Sequence, residues 1–309
     1  MLRPGSVAFR VASVVAGLLA VTAVSTQAPA AGAAAAHAPA AAAAAPTATA
    51  QYAPAATATI HPGVMMYTGG AQCTANFVYT DGSGATYVGY AAHCAGTGAA
   101  TDTNGCDTQS LPLGTKVTFN EGGSLLNEGT QVGTGTLAYS SWLTMQRVGE
   151  TNADACAYND LALVKVDQQY VGDVNPSIPF WGGPTGVNTS GTAAGDKLYT
   201  YGNSSLRGGV TKLSPKQGTV VQEQGAGWSR DVYTATPGIP GDSGSGFMDA
   251  SGRAIGVLST VQIAPLAASN GVGNLSKEVA YAQAHGFGGL SLVTGGPFNG
   301  NLVNAILGA

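Results

Sequence analysis

The chain has 309 residues, of which 44% are hydrophobic and only 9% charged, and its formal net charge is −4. Its lysines and arginines are scattered singly, so no basic surface is present to hold a nucleic-acid backbone. With 46 glycines and so few charges, a bundle of helices with charged outer faces is excluded in favour of short strands joined by turns.

Met1–Ala30 has arginines at 3 and 10, an apolar run from Val11 to Val24 and a small-residue end at Ala28–Ala30. That order is the pattern of a secretory signal peptide, and 14 apolar residues fall short of the ~20 that a spanning helix needs. The expected mature protein is therefore extracellular, with no stable membrane association after cleavage. Residues 31–59 are mostly alanine, proline and threonine. Pro39, Pro46 and Pro54 interrupt any long helix, and almost no large side chain is available to bury. A disordered linker or short pro-segment is expected there, leaving 60–309 as the folded domain.

Within 60–309, "ANFVYT" and "ATYVGYAAH" flank "DGSG" at 81–84, a hairpin signal. Strands are then expected at 115–119, 135–142, 161–166, 197–202, 218–224, 231–236, 244–249 and 254–260. About ten short strands of this kind imply an all-β sandwich or barrels. Helical patterning comes only late, at 275–286 and 300–307, with Asn274 placed to cap the first and Gly286 to end it. Behind a secretory signal, Cys73, Cys94, Cys106 and Cys156 read as two disulfides, with three possible pairings. No CxxC pair occurs and the nearby His93 directly adjoins Cys94, which argues against zinc; no metal and no cofactor are expected.

Three stretches carry chemistry. The strand in "YVGYAAHCAG" ends at His93, and a disulfide from Cys94 would fix the backbone beside it, as a general base requires. Asp160 precedes the apolar strand "LALVKV", where it either closes a turn or is a buried carboxylate needing a donor such as a histidine N–H. In "PGIPGDSGSGF", Ser243 sits at the mouth of a loop rich in glycine. The N–H groups of Gly241 and Ser243 could both face a developing oxyanion. A surface turn is the plain alternative, because Gly, Pro, Asp and Ser also gather in ordinary turns. His37, His61 and His285 have no partner motif.

"AAHC", "NDLALVKV" and "GDSGSG", in that order, resemble the three motifs of the chymotrypsin-like serine peptidases, whose His-Asp-Ser order is a known template. The resemblance spans about residues 62 to 309 and implies two antiparallel six-stranded β-barrels with the site between them. It implies Ser243 as nucleophile, His93 as base, Asp160 as the group orienting the imidazole, and Gly241 and Ser243 as oxyanion donors. It implies a Cys73–Cys94 bond, which leaves Cys106 to Cys156. The Ile-Val-Gly-Gly terminus that pairs with the aspartate before the nucleophile in animal members is not found before Cys73. Asp242 is therefore expected to pair with an internal arginine: Arg147, Arg207 or Arg230. By the same resemblance, Pro237 lies at the base of the specificity pocket, with Ser259 on its wall and Val261 where elastase-like members carry a bulky plug. The uncharged Pro237 argues against a preference for arginine or lysine and for small or medium apolar side chains. The expected function is a secreted, monomeric serine endopeptidase acting on protein or peptide substrates. The competing readings are a catalytically weak relative that binds a protein or cell-wall partner, and an esterase with the same triad.

Overall fold

The structure is a computed structural model that describes residues 51–99, 102–261 and 266–301. The expected signal segment, most of the linker and most of the helix predicted at 300–307 lie outside these residues. Described residues before the expected boundary at residue 60 already pack against the domain. Ala53 N–H donates to Val174 O at 2.8 Å, Asn175 Nδ2 donates to Ala53 O at 2.6 Å, and Ile60 is fully buried. Residues 51–59 thus pack along the segment that follows the first half, which their alanine-rich composition did not foretell. Among the described residues no helix is long and apolar enough to cross a membrane.

The first half contains β1 (Met65–Thr68), β2 (Ala71–Thr74), β3 (Val78–Thr80), β4 (Thr86–Ala91), β5 (Lys116–Glu121), β6 (Thr130–Ser140) and β7 (Leu161–Val166). All neighbouring pairs are antiparallel, and the hydrogen-bonded order is β3-β4-β7-β6-β5-β1-β2. β2 runs through three residues into β3, where Asn76 N–H donates to Gly89 O and Gly89 N–H donates to Phe77 O. One bent strand therefore pairs with β1 at its start and β4 at its end, and the chain itself carries the sheet round six strand positions. β7 is covered on both faces: Leu161, Ala162, Leu163, Val164 and Val166 are buried and Lys165 alone in the strand is exposed. Trp142, Phe77, Phe119 and Tyr90 fill the interior, and a large apolar side chain contributes about 1.5–3 kcal/mol when fully buried.

The second half holds β8 (Lys197–Tyr201), β9 (Pro215–Gln224), β10 (Ser229–Thr234), β11 (Gly246–Asp249), β12 (Ala254–Val261) and β13 (Asn270–Asn274). They close into a six-stranded barrel in the order β10-β13-β12-β11-β8-β9. A last short strand, β14 (Ser291–Leu292), returns to the first half and pairs with β3. This is the two-barrel architecture that the resemblance to the chymotrypsin-like peptidases implies.

Three helices punctuate the strands. α3 (Leu275–Ala284) matches the expected helix, with Asn274 accepting from Ser276 N–H as its cap. α1 (Ser141–Val148) and α2 (Ala153–Tyr158) were not expected. The strand predicted at 135–142 stops at Ser140, which caps α1 by accepting from Leu143 N–H. α2 is capped by Asn152, whose Oδ1 accepts from Asp154 and Ala155 N–H groups, and it delivers the chain to Asp160.

Candidate active site

β4 ends in a single tight helical turn, Ala92–Ala95, that carries His93. Ala92 N–H donates to Asp160 O at 2.8 Å, and His93 N–H donates to Asp160 Oδ1 at 2.8 Å. The imidazole Nδ1 lies 2.6 Å from Asp160 Oδ2. Asp160 is thus the buried carboxylate of the two sequence readings, and its side chain is only 4% exposed. With Nδ1–H donated to a carboxylate, Nε2 carries the free lone pair that a general base needs. Burial opposes the imidazolium, but the charge and hydrogen bond of Asp160 outweigh it and hold the His93 pKa above its ordinary value.

Covalent bonds brace this pair on both sides. Cys94 is bonded to Cys73 on β2, and Cys106 is bonded to Cys156 on α2. Cys73 and Cys94 place their sulfurs near His93, but as a disulfide they present no thiolate to a metal.

The loop 237–245 comes from the second half. Gly241 and Gly244 have φ of 94° and 88°, a left-handed conformation that favours glycine. Gly244 also sits so close to the first half that an added Cβ would fall 2.6 Å from Thr74 O and 2.8 Å from Ala91 N. Ser243 O accepts from Thr74 N–H at 2.8 Å, and Gly244 N–H donates to Leu258 O at 2.7 Å. The loop is therefore pressed against the end of β4, two residues from His93. Among the described residues, no hydrogen bond joins Ser243 Oγ to the imidazole. Such contacts are often long in a free enzyme and tighten when substrate binds.

Two peptide planes in this loop are held by their carbonyls. Pro240 O accepts from Ser204 Oγ at 2.5 Å, and Asp242 O accepts from Ser245 N–H at 3.0 Å. In a trans peptide the N–H points opposite to the C=O, so these bonds aim the Gly241 and Ser243 N–H groups. Neither N–H has an acceptor among the described residues.

Asp242, fully buried, finds the internal arginine that its position demanded. Both Nη atoms of Arg207 donate to its carboxylate, and Lys216 Nζ donates to Oδ2 at 2.7 Å. Burial would raise the carboxyl pKa, but the two cations prevail and hold it below the usual carboxylate range. The other two arginines lie elsewhere: Arg147 donates to His285 O, and Arg230 donates to Ile255 O.

The expected pocket residues divide. Pro237 is exposed, and its carbonyl accepts from Lys216 Nζ at 3.2 Å. Ser259, read from the resemblance as pocket wall, donates its hydroxyl to Asp160 Oδ2 at 2.6 Å. Val261 ends β12, and its side chain lies outside what the structure describes. Asn270, absent from the sequence reading, spans the two segments by accepting from Gly238 N–H and donating to Thr260 O. Ser204, Lys216 and Glu278, whose Oε1 accepts from Asp160 N–H, were missed as well. Only Glu278 left a trace: an acid on the apolar stripe of α3 beside Leu275, Tyr281 and Ala282.

No family model matches the chain, and no curated protein matches it. It is similar to the solved structure of Thermobifida fusca protease A, with a TM-score of 0.47 and 18% identity over 76% of this chain and 99% of that one. A Nocardiopsis protease gives a TM-score of 0.43 at 18% identity, covering 75% of this chain and 98% of that one. Cellulomonas bogoriensis chymotrypsin gives 0.44 at 18% identity, covering 76% and 98%.

Proposed function

We propose that the protein is a secreted serine endopeptidase that works through His93, Asp160 and Ser243. The observation that carries this reading is the imidazole held by Asp160 at 2.6 Å, beside a loop whose Gly241 and Ser243 N–H groups are both unspent. Ser243 Oγ attacks the scissile carbonyl while His93 Nε2 takes its proton. The oxyanion is received by the two N–H groups, and the imidazolium returns the proton to the departing amine. Water then cleaves the acyl-enzyme by the same steps in reverse order. Residues 1–30 serve as the cleaved signal, and the mature chain acts as a monomer on protein or peptide substrates. The preferred side chain is small or medium and apolar, since Pro237 brings no charge to the pocket base.

A second reading has one observation in its favour. Ser243 Oγ makes no hydrogen bond to His93 among the described residues, which suits a weakly catalytic module that binds its partner through the same cleft. A serine-directed phosphonate separates the two. The peptidase reading expects a single adduct on Ser243, lost in His93→Ala, and peptide cleavage that disappears in Ser243→Ala. Secreted, folded protein that takes no label supports the binding module. Because His93 must be neutral to act as base and its pKa is raised, kcat/KM should climb with pH and reach half its plateau above pH 6.5.

A further inference from the structure

Asp160 is approached by a second carboxyl group. Glu278 stands on α3 with no exposed surface, and its Oε1 accepts from Asp160 N–H at 3.1 Å. The fit leaves no slack, because a Cβ built on Gly273 of β13 would fall 2.4 Å from that same oxygen. The other oxygen, Oε2, has no hydrogen-bond partner among the described residues. Among the described residues no cation forms an ion pair with this group. Arg230 is buried nearby but spends Nη1 on the Ile255 carbonyl, while its Nε has no partner.

An ionised carboxylate is costly to bury without a paired cation, so the group keeps its proton instead. A protonated glutamate can still accept an N–H through its carbonyl oxygen. It can therefore hold the Asp160 peptide without placing a second negative charge beside the one that orients His93. We propose that Glu278 is a positioning residue for the triad, acting as a neutral acid that fixes the Asp160 backbone at the start of β7. The proposal rests on the serine-peptidase reading and adds to it a residue outside the three motifs.

Four groups face Glu278: Asp160 from the start of β7, Arg230 from β10, Tyr79 from β3 and Tyr139 from β6. Arg147 of α1 donates instead to the His285 carbonyl. Both tyrosines are driven up by burial and stay neutral through the working range. Burial, aided by the Asp160 charge and opposed by the hydrogen bond from Asp160 N–H and by Arg230, lifts the Glu278 pKa to about 8. Above that pH a second buried negative charge stands beside Asp160, and repulsion between the two carboxylates displaces Asp160 from the geometry that orients His93.

The test compares wild type with Glu278→Gln and Glu278→Leu, measuring kcat and KM on one peptide substrate from about pH 5 to about pH 10, together with phosphonate labelling of Ser243. Leucine removes the acceptor and should lower kcat by about tenfold with KM held within about twofold. Glutamine keeps a neutral acceptor and should restore the kcat that leucine loses. It should also remove the fall in wild-type kcat above about pH 8. The proposal is overturned if leucine leaves kcat unchanged, if glutamine falls as far as leucine, or if the glutamine variant keeps the alkaline fall. The glutamine arm stands alone should the leucine variant not fold. A wild type that neither cleaves nor takes label at Ser243 sinks the peptidase reading and this proposal with it. An active, labelled wild type with unmoved variants overturns the proposal alone.

Discussion

In the first half, His93 adjoins Cys94, which is tied to Cys73, and Asp160 follows Cys156, which is tied to Cys106. The second half has no cysteine after position 156 to use. Its 237–245 loop is held by a buried carboxylate between Arg207 and Lys216, and among the described residues its own apolar cluster comprises Leu198, Val220, Val232, Phe247, Ile255, Leu258 and Val272. His93 and Asp160, the proposed base and its orienting carboxylate, are thus braced by bonds indifferent to pH, whereas Ser243, the proposed nucleophile, is braced by charges that depend on it. Each side of the site should fail under a different insult.

Asp242→Asn should produce the largest effect. It leaves Arg207 and Lys216 buried without their counter-charge, and breaking a buried ionic group in this way costs about 3–5 kcal/mol. Urea unfolding should show that loss, and phosphonate labelling of Ser243 should collapse with it. The pH dependence has the same origin. Because the Asp242 pKa is depressed in the folded protein, its contribution is present above the ordinary carboxyl value of 3.8 and is lost as pH falls through the lower folded value. Acid should therefore loosen the 237–245 loop while the disulfides remain. Hydrogen exchange that protects this loop and the His93 turn equally down to that range would break the comparison.

Next in size is removal of the first-half cross-links. The loop closed by Cys73–Cys94 spans 21 residues and that closed by Cys106–Cys156 spans 50. By chain-entropy arithmetic, paired alanine replacements should cost about 3 and about 4 kcal/mol respectively. The smaller loss should have the larger catalytic consequence, because Cys94 adjoins His93 itself. The comparison is sharpened if Cys73→Ala/Cys94→Ala lowers kcat more than Cys106→Ala/Cys156→Ala does. It breaks if kcat follows stability alone.

The sequence could be read where a function needs several residues next to one another. His93 with Cys94, Asp160 before an apolar strand, and the Gly241–Gly244 loop each announce themselves locally, and α3 carries both its stripe and its Asn274 cap. What stayed hidden depends on contacts between distant residues. Lys216 looks like a solvated charge until the fold supplies Asp242, and Glu278, though it interrupts the apolar stripe of α3, names no partner until the fold supplies the Asp160 peptide. Arg207 was one of three arginines because nothing nearby in the chain marks which one reaches Asp242. Ser259 was read as pocket wall from the resemblance of its stretch, and the bond of its hydroxyl to Asp160 needed the fold to be seen. α1 and α2, of eight and six residues, are too short to display a helical period. β1 and β2, each four residues long, are likewise too short to alternate visibly.

The smallest expected effect concerns a residue that joins the charged bracing to the chemistry. Ser204 lies three residues before Arg207, so the segment that neutralises Asp242 also supplies the hydroxyl that holds Pro240 O. That bond aims the Gly241 N–H, and a peptide released from it can rotate its donor away from the oxyanion. Losing an oxyanion donor outright lowers kcat by about 10²–10³. In Ser204→Ala the donor remains and only its alignment is freed, so a fall of about tenfold with little change in KM is expected. Stability should fall by about 1 kcal/mol, because Ser204 Oγ also caps the short turn that carries Arg207 by accepting from Leu206 N–H. A Ser204→Ala enzyme with wild-type kcat would show that the left-handed turn at Gly241 sets the N–H direction by itself, and the second half would then need no side chain to aim its oxyanion donors.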